Sequence, residues 1–481
     1  MENDTETRVA FEHPEFKVRV VDALKNDRVR KNFRSAMDGL MRRRLDMFDD
    51  AEALENLRTQ SMAIRANSLS RLPEMLEKLE AKCIENGIQV HWAETTEQAN
   101  DIVLKIAQQH DAKSIVKGKS MVSEEMGMNH YLEEQGIECL ESDLGEFILQ
   151  LAEEPPSHIV APAIHKDRYQ VAKLFKEKFP DIPYSDDIDD LTKNARTILR
   201  DKFYSAPIGL SGVNFAVAET GTICLVENEG NGRMSTTVPP VHIAVTGIEK
   251  VVEMLEDVPP LLSILTRSAT GQPITTYFNM ITSPRKDGEK DGPKEVHLVL
   301  LDNGRSKIYG DPELIATLRC IRCGACMNHC PVYVRVGGHA YGTVYPGPIG
   351  TVLEPQKEKG LQAHGELTQA SSLCGACGEV CPVRIPLPKL INRLRYEGNR
   401  KDESSVTGAG SRRKTSEAMI WKGWAKAHSS PGMYRFGTNA ASKMRGLIPN
   451  KLGAWTRVRS APKLAEKSLH QLAKEEGIDH E

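Results

Sequence analysis

The chain reads as an α/β domain with a mainly parallel sheet, followed by a cysteine-rich module and flanked by helical extensions. Three observations predict this. Strand-like and helix-like segments take turns with short connections from about residue 66 to 305, the pattern of a parallel sheet with crossover helices. Seven of the ten cysteines lie between 320 and 381, in two runs that each end in Cys-Pro. Residues 1–65 and 401–481 are charged and helix-favouring. At 481 residues the chain is long enough for two or three domains, and the divisions expected are 1–65, 66–305, 306–400 and 401–481.

In the first segment Phe33, Met37, Leu40, Met41 and Leu45 recur at helical spacing and give one apolar stripe, so a helical lead-in is expected. Ile88–Trp92 then reads as a strand and Thr96–Gln109 as a helix. Ser114–Val116 is a second strand, followed by a helix from about Ser123 to Gln135. Ile137–Leu140 is a third strand with a helix behind it, and Ser157–Val160 a fourth. Further strands are expected at Asn214–Ala218, Gly221–Val226, His242–Thr246, Thr275–Ile281 and Val296–Leu301.

Ligands of open α/β sheets sit beyond the carboxyl ends of strands. Three stretches suit such a site: Lys117-Gly-Lys-Ser120 between a strand and a helix, Glu219-Thr-Gly-Thr222 between two strands, and the flexible loop Gly230-Asn-Gly-Arg233 with Ser235-Thr-Thr237 behind it. None has the glycine spacing of a Walker loop or a dinucleotide fingerprint. A plain turn with solvated lysines is the favoured account of Lys117 and Lys119.

The cysteine runs are the most specific signal. The first is Cys320-Ile-Arg-Cys323-Gly-Ala-Cys326-Met-Asn-His-Cys330-Pro331, the second Cys374-Gly-Ala-Cys377-Gly-Glu-Val-Cys381-Pro382. This is the bacterial ferredoxin spacing, in which the last cysteine of a run ligates the other cluster. Cys320, Cys323, Cys326 and Cys381 then hold one [4Fe–4S] centre, and Cys330, Cys374 and Cys377 a second. Three ligands spaced by two residues let a short loop wrap three corners of a cubane, and proline ends the turn without leaving an unpaired N–H. Gly324, Gly375 and Gly378 suit the backbone angles of such a wrap. Structural zinc is the competing reading, but zinc sites use two hooks of two ligands, not hooks of four and three. The second run lacks a cysteine at Ser371. Ser371 or His364 completes the centre, the fourth iron takes water or a partner's ligand, or that iron is missing and the centre is [3Fe–4S].

Between the runs, Gly337–Gly350 interleaves aromatics with Gly and Pro and is expected to be a rigid, non-helical loop. Gln356–Ala370 reads as a helix interrupted by Gly360 and Gly365, and another begins at Leu387 and continues to Tyr396. Ser404–Arg413 reads as a linker. The segment 401–481 carries 15 Lys/Arg against 8 Asp/Glu, with Met419, Trp421, Trp424, Met433, Tyr434, Phe436 and Trp455 as anchors for short helices. A basic, aromatic tail of this kind suits an acidic partner or a membrane surface, or simply a docked helix with a solvated face.

Composition excludes some classes. Net charge is −3, so nothing global marks a nucleic-acid binder. Clustered cysteines do not make a disulfide framework, and thiolate ligands need a reducing compartment, so a cytoplasmic location is expected. Met1–Arg8 is acidic and polar with no apolar signal core. Apolar runs such as Leu298–Leu301 are strand-sized, which leaves at most peripheral membrane contact.

With the cysteine pattern joined to Glu219–Thr222, Gly342–Gly350, Lys119-Ser-Met121, Glu124-Glu125, Glu141–Glu146 and Pro239–Ile243, the chain closely resembles the lactate utilisation protein B family over nearly its whole length. The resemblance implies a LUD domain at 66–305, similar to the ribose-5-phosphate isomerase and glucosamine-phosphate deaminase group, and an α-helical ferredoxin module at 306–400. The family's second cluster is also one cysteine short. Implied partners are a cysteine-rich subunit and a smaller LUD protein. The implied role is a non-catalytic electron-transfer component of a complex oxidising L-lactate to pyruvate, with an unknown acceptor. No catalytic residues carry over. Two other functions compete: a hydroxy-acid enzyme using an open-site iron as Lewis acid, and a metabolite-binding scaffold that senses redox state.

Overall fold

The structure, a computed structural model, describes residues 15–357, 359–400, 403–404, 406–409, 415–447, 449, 456, 460–461 and 463–478. Met1–Arg8, Trp455 and part of the Ser404–Arg413 linker lie outside the described residues. The chain divides between Gly410 and Ser411 into two compact units.

Four helices open the first unit: Phe16–Lys25, Asp27–Asp46, Ala51–Ser70 and Leu72–Glu85. Asn26 and Asp50 cap the second and third, their side chains accepting from backbone N–H groups of the first turn. Phe33, Met37 and Leu40 are buried as the stripe predicted, but Leu45 is 65% exposed and Met41 only half-buried. The fourth position of the buried face falls to Arg44, which continues the three-and-four spacing that Leu45 misses.

The α/β core is a six-stranded, wholly parallel sheet. Its strands are β1 (Gln89–Ala93), β2 (Ser114–Lys117), β3 (Glu138–Glu141), β4 (Ile208–Gly212), β7 (Val241–Gly247) and β10 (Glu295–Leu301), in the order β1-β10-β7-β4-β2-β3. Both faces are covered, and β10 shows how. Val296, Leu298 and Leu300 enter one core while Val299 and Leu301 enter the other, the period of two that a strand imposes. A second, mixed sheet holds β5 (Phe215–Val217), β6 (Thr222–Glu227), β8 (Val251–Val252) and β9 (Tyr277–Ile281), in the order β8-β5-β6-β9. The expected strands at 214–218, 221–226 and 275–281 therefore belong to this smaller sheet.

Ser157–Val160 is not a strand. Pro155, Pro156 and Pro162 withhold donors there, and the His158 ring accepts from the Val160 and Ala161 N–H groups, so local bonds replace a ladder. The place between β7 and β2 goes to β4, whose Pro207-Ile-Gly-Leu-Ser-Gly212 sequence gives a weak strand signal. Gly209 is obligatory in β4, because a side chain would collide with the Ser235 carbonyl. Ser235 lies on a helix, Asn231–Thr237, where a flexible loop was expected. The Glu227 carboxylate explains it, accepting from the Gly232 and Arg233 N–H groups at 2.7 Å each and capping the first turn.

The cysteine module packs into the same core as one face of the parallel sheet. Gly337–Gly350 is partly helical, with a 3₁₀ turn at His339–Tyr341 and a helix, Gly347–Leu353, started by Pro348 in its first turn. The expected Gln356–Ala370 helix breaks at its glycines into Gly360–His364 and a 3₁₀ segment, Gly365–Gln369. Leu387–Gly398 forms as expected. Glu403–Ser404 pairs antiparallel with Gly408–Ala409, so the described part of the linker is a hairpin.

The second unit holds helices Thr415–His428, Pro431–Lys443 and Leu469–Glu475. Its rings form a chain, with Trp424 stacked on His428 at 4.1 Å, His428 against Tyr434 and Tyr434 against His470. The other expected anchors, Met419, Trp421, Met433 and Phe436, are exposed, and so is Trp424. A unit this small has too little interior to bury them all. Among the described residues no helix is long and apolar enough to cross a membrane.

Candidate functional site

The two cysteine runs fold into near copies of one loop. In the first, Arg322 takes φ +61° and Gly324 φ +75°. In the second, Leu373 takes φ +56° and Gly375 φ +93°. A four-residue helix follows each, Ala325–Asn328 and Ala376–Glu379. Arg322 and Leu373 hold a left-handed backbone that costs a non-glycine residue about 1 kcal/mol or more, so the thiol geometry outweighs local preference. Gly378 does not take a positive φ; it admits Pro388, whose Cδ would lie 3.2 Å from an added Cβ.

Cys320, Cys323, Cys326 and Cys381 line one small cavity closed by Ile159, Ile349, Val383, Ile385 and Leu387. The thiols acting most strongly on Cys323 are Cys381 and Cys320, and Cys320 acts on Cys381 in turn. Cys330, Cys374 and Cys377 form a second group, with Cys374 acting on Cys330 and both acting on Cys377. Burial first, with neighbouring thiols adding to it, pushes Cys381 up to about 11 and Cys377 up to about 12. Thiols that oppose one another's ionisation while converging on one cavity suit a cationic metal, which reverses that penalty. Backbone donors face the sulfurs as well: Arg322 N–H to Cys320 Sγ at 3.4 Å and Ile385 N–H to Cys381 Sγ at 3.3 Å. The donor set therefore fits iron–sulfur centres.

Around the first group stands a shell of cations that motif reading missed. Arg44 lies beside Cys323, Arg319 beside Cys381, and Arg65, Lys250 and Arg322 beside Cys320. Arg58 and Arg65, two turns apart on helix Ala51–Ser70, share one face. Arg58 donates to the Cys381 and Gly378 carbonyls, and Arg65 to those of Val251, Glu249 and Leu318. The only advance signal was the density of arginines in a segment read as a lead-in.

The supposed strand Ser157–Val160 instead roofs the first group. Its Ile159 enters the cavity wall, and burial lowers the His158 pKa to about 4. The neutral ring, accepting at Nδ1, donates from Nε2 to Asn328 Oδ1 at 2.9 Å. Tyr333 donates to the Ser157 carbonyl at 2.6 Å.

In the second group, Ser371 occupies the loop position that Cys320 occupies in the first. Its Oγ accepts from the Leu373 N–H at 3.1 Å, as Cys320 Sγ accepts from Arg322. His364 is elsewhere, beside Glu354, Lys357, Lys359 and Glu366. Cys374 is the exposed cysteine of the seven. Tyr341, fully buried, has a hydroxyl with no hydrogen-bond partner among the described residues, and Cys330 is the nearest charged influence on it.

A larger cavity of about 300 Å³ lies against the first group, at the carboxyl ends of β2 and β4. Gly118, Lys119 and Ser120 line it, whereas Lys117 does not. Burial alone would discharge the Lys117 ammonium, but Glu124 at 2.7 Å and Glu141 at 2.5 Å offset it, so this lysine is a structural cation. Glu219–Thr222 is also structural: Gly221 turns against the end of helix Leu72–Glu85, and Glu219 accepts from the Leu255 N–H. Asn231 and Gly232 do reach the cavity, as do Lys250 and Arg322.

An ion network holds this wall. Arg305 grips Glu125 through two bonds of 3.0 Å and Glu249 through one of 2.6 Å. Arg322 reaches Glu249 at 3.3 Å and lies 4.3 Å from the Tyr345 ring, while Tyr345 donates to Glu125 at 2.8 Å. Burial would raise the Glu249 pKa, but Arg305, Lys250 and Arg322 outweigh it and bring it to about 2. Glu125, Arg322 and Tyr345 come from three separate sequence motifs, and the fold joins them into one interface between the sheet and the cysteine loops.

The LUD domain family matches residues 76–301, the 4Fe-4S dicluster domain family residues 316–385, and the family described as lactate utilisation protein B, C-terminal, residues 393–478. Lactate utilization protein B of Bacillus subtilis is 42% identical over 457 residues, covering 93% of each chain. The uncharacterized electron transport protein YkgF of Escherichia coli is 42% identical over 468 residues, covering 95% of each. A DUF162 family protein of Deinococcus radiodurans is 16% identical in its crystal structure, with a TM-score of 0.28, covering 48% of this chain and 98% of that one.

Proposed function

The chain belongs to the lactate utilisation protein B family, and on that premise we propose that it is the iron–sulfur electron-transfer subunit of a complex that oxidises L-lactate to pyruvate. Cys320, Cys323, Cys326 and Cys381 ligate one [4Fe–4S] centre. Cys330, Cys374 and Cys377 ligate the second, with Ser371 or an outside group at its fourth iron. The cysteine-rich subunit and the smaller LUD protein are its partners, and the whole operates in the cytoplasm. Residues 66–305 form the LUD domain and 306–400 the cluster module, with 1–65 as a helical N-terminal extension and 401–481 as a basic helical tail. The observation that carries this reading is the convergence of Cys381 on the Cys320 loop, 61 positions upstream in sequence.

Such centres accept and release single electrons, at potentials set by burial, charge and hydrogen bonds to sulfur. The chain's own groups supply each of these. Ile159, Ile349 and Leu387 exclude water from the first group. The Arg44, Arg65, Lys250 and Arg322 cations favour the more negative, reduced state. The N–H groups of Arg322 and Ile385 hold the sulfurs in place. Because Cys326 and Cys330 lie one helical turn apart on a shared loop, the two groups sit close enough for a short electron path.

The test is the reconstituted complex with Cys323→Ala. Lactate-dependent reduction of an artificial acceptor should fall to background, while full retained activity would end the reading.

A further inference from the structure

The cavity beside the first cysteine group has two chemically distinct ends. At the end nearest Cys320 stand Lys250 and Arg322. Lys250 is 6% exposed, and its one hydrogen bond among the described residues is a long one, 3.4 Å to the Cys320 carbonyl. Arg322 leaves Nη1 buried without a partner among the described residues. A buried donor left unmet is costly, and more so when charged, so an acceptor is expected there. At the other end are Asp143, Glu227 and Glu229, with Lys119 tied to the Val160 carbonyl at 2.6 Å. Those carboxylates hold helix N-termini: Asp143 receives the Glu146 N–H, Glu229 the Leu144 N–H and Glu227 those of Gly232 and Arg233. Asp143 and Glu229 each keep one carboxylate oxygen without a donor among the described residues, whereas Glu227 also accepts from Asn279 at 3.0 Å.

We propose that this cavity binds a small hydroxylated carboxylate, its carboxylate between Lys250 and Arg322 and its hydroxyl groups towards Asp143, Glu227 and Glu229. Arg322 offers the planar fork that carboxylates match. The lining balances three cations against three carboxylates, so a singly charged head is favoured and a dianion meets repulsion at the acidic end. A volume of about 300 Å³ is at the small end of ligand sites. The site sits beyond the carboxyl ends of two adjacent parallel strands, where open sheets place ligands. The inference deepens the proposed function and rests on it for the neighbouring iron–sulfur centre, though binding itself needs only the cavity.

The experiment is calorimetric titration of anaerobically purified, full-length protein. The probes are L-lactate, D-glycerate and D-gluconate, with propionate as the carboxylate lacking hydroxyls and inorganic phosphate as the other anion. The proteins are wild type, Lys250→Met and Ala269→Leu, the last filling the cavity without altering any charge. At least one hydroxy acid should saturate the wild type, with propionate and phosphate each weaker by about tenfold or more. Both variants should weaken the hydroxy acid by about tenfold or more, and Ala269→Leu should do so with iron content unchanged. Absence of saturation by all three hydroxy acids, parity of phosphate or propionate, or unaltered binding in Ala269→Leu would overturn the proposal. Iron analysis of the same samples separates the two readings: binding without iron sinks the cluster assignment alone, and iron without binding sinks the cavity assignment alone.

Discussion

The two cysteine groups share a backbone and differ in almost everything around it. Arg322 and Leu373, Gly324 and Gly375, and the two four-residue helices superimpose in conformation along the sequence. The first group is enclosed, has four thiols, and lies within a shell of arginines and a lysine. The second has three thiols, an exposed Cys374, a serine in the fourth position and a buried tyrosine hydroxyl with no partner among the described residues. One loop geometry thus makes two sites of opposite character. On the proposed assignment, the thiol scaffold sets where iron sits, and the neighbours decide how tightly it is held and how readily it is reduced.

The largest expected effect comes from abolishing that difference at its source. Ser371→Cys places a thiolate where Cys320 stands in the other loop. Loss of iron from the second centre on exposure to ferricyanide should slow by about tenfold or more, since even outer-shell partners of a metal site are worth that much. An unchanged rate, followed by iron analysis, would mean that the serine position does not face the centre. A smaller effect is expected at Tyr341. Burial and then Cys330 raise its pKa, so the phenol stays protonated and keeps a donor free beside the cysteine groups, with Cys330 of the second acting on it most strongly. Tyr341→Phe removes that donor. A hydrogen bond of about 1 kcal/mol corresponds to about 40 mV for one electron, so the second centre's potential should drop by about that amount in a redox titration. The first centre, whose Cys326 acts on Tyr341 more weakly than Cys330, should move less.

Legibility in the sequence followed the range of the forces involved. The parallel sheet was readable because β10 and its neighbours carry apolar residues at nearly every position, a local signal. The cysteine spacing was readable because the covalent loop itself performs the wrap. Ile208–Gly212 was missed because its glycines serve a close helix approach rather than strand propensity, and Ser157–Val160 was misread because its apolar residues roof a cysteine group instead of joining a ladder. Lys117 and Lys119 looked alike in sequence; two carboxylates from other elements bury one, and the cavity takes the other. Arg58 and Arg65 had no motif at all, because the carbonyls they reach lie about 180 to 320 positions away. Contacts of that separation leave no periodic trace.

The pairing of Cys381 with the Cys320 loop is the claim on which the rest stands. Low-temperature EPR of anaerobically purified protein, with iron and sulfide determined on the same sample, tests it most directly. The account predicts about seven or eight iron atoms per chain and two signals, a [4Fe–4S] centre together with a second that is [4Fe–4S] or [3Fe–4S]. Colourless protein carrying zinc, or a single centre at half the iron, would contradict it.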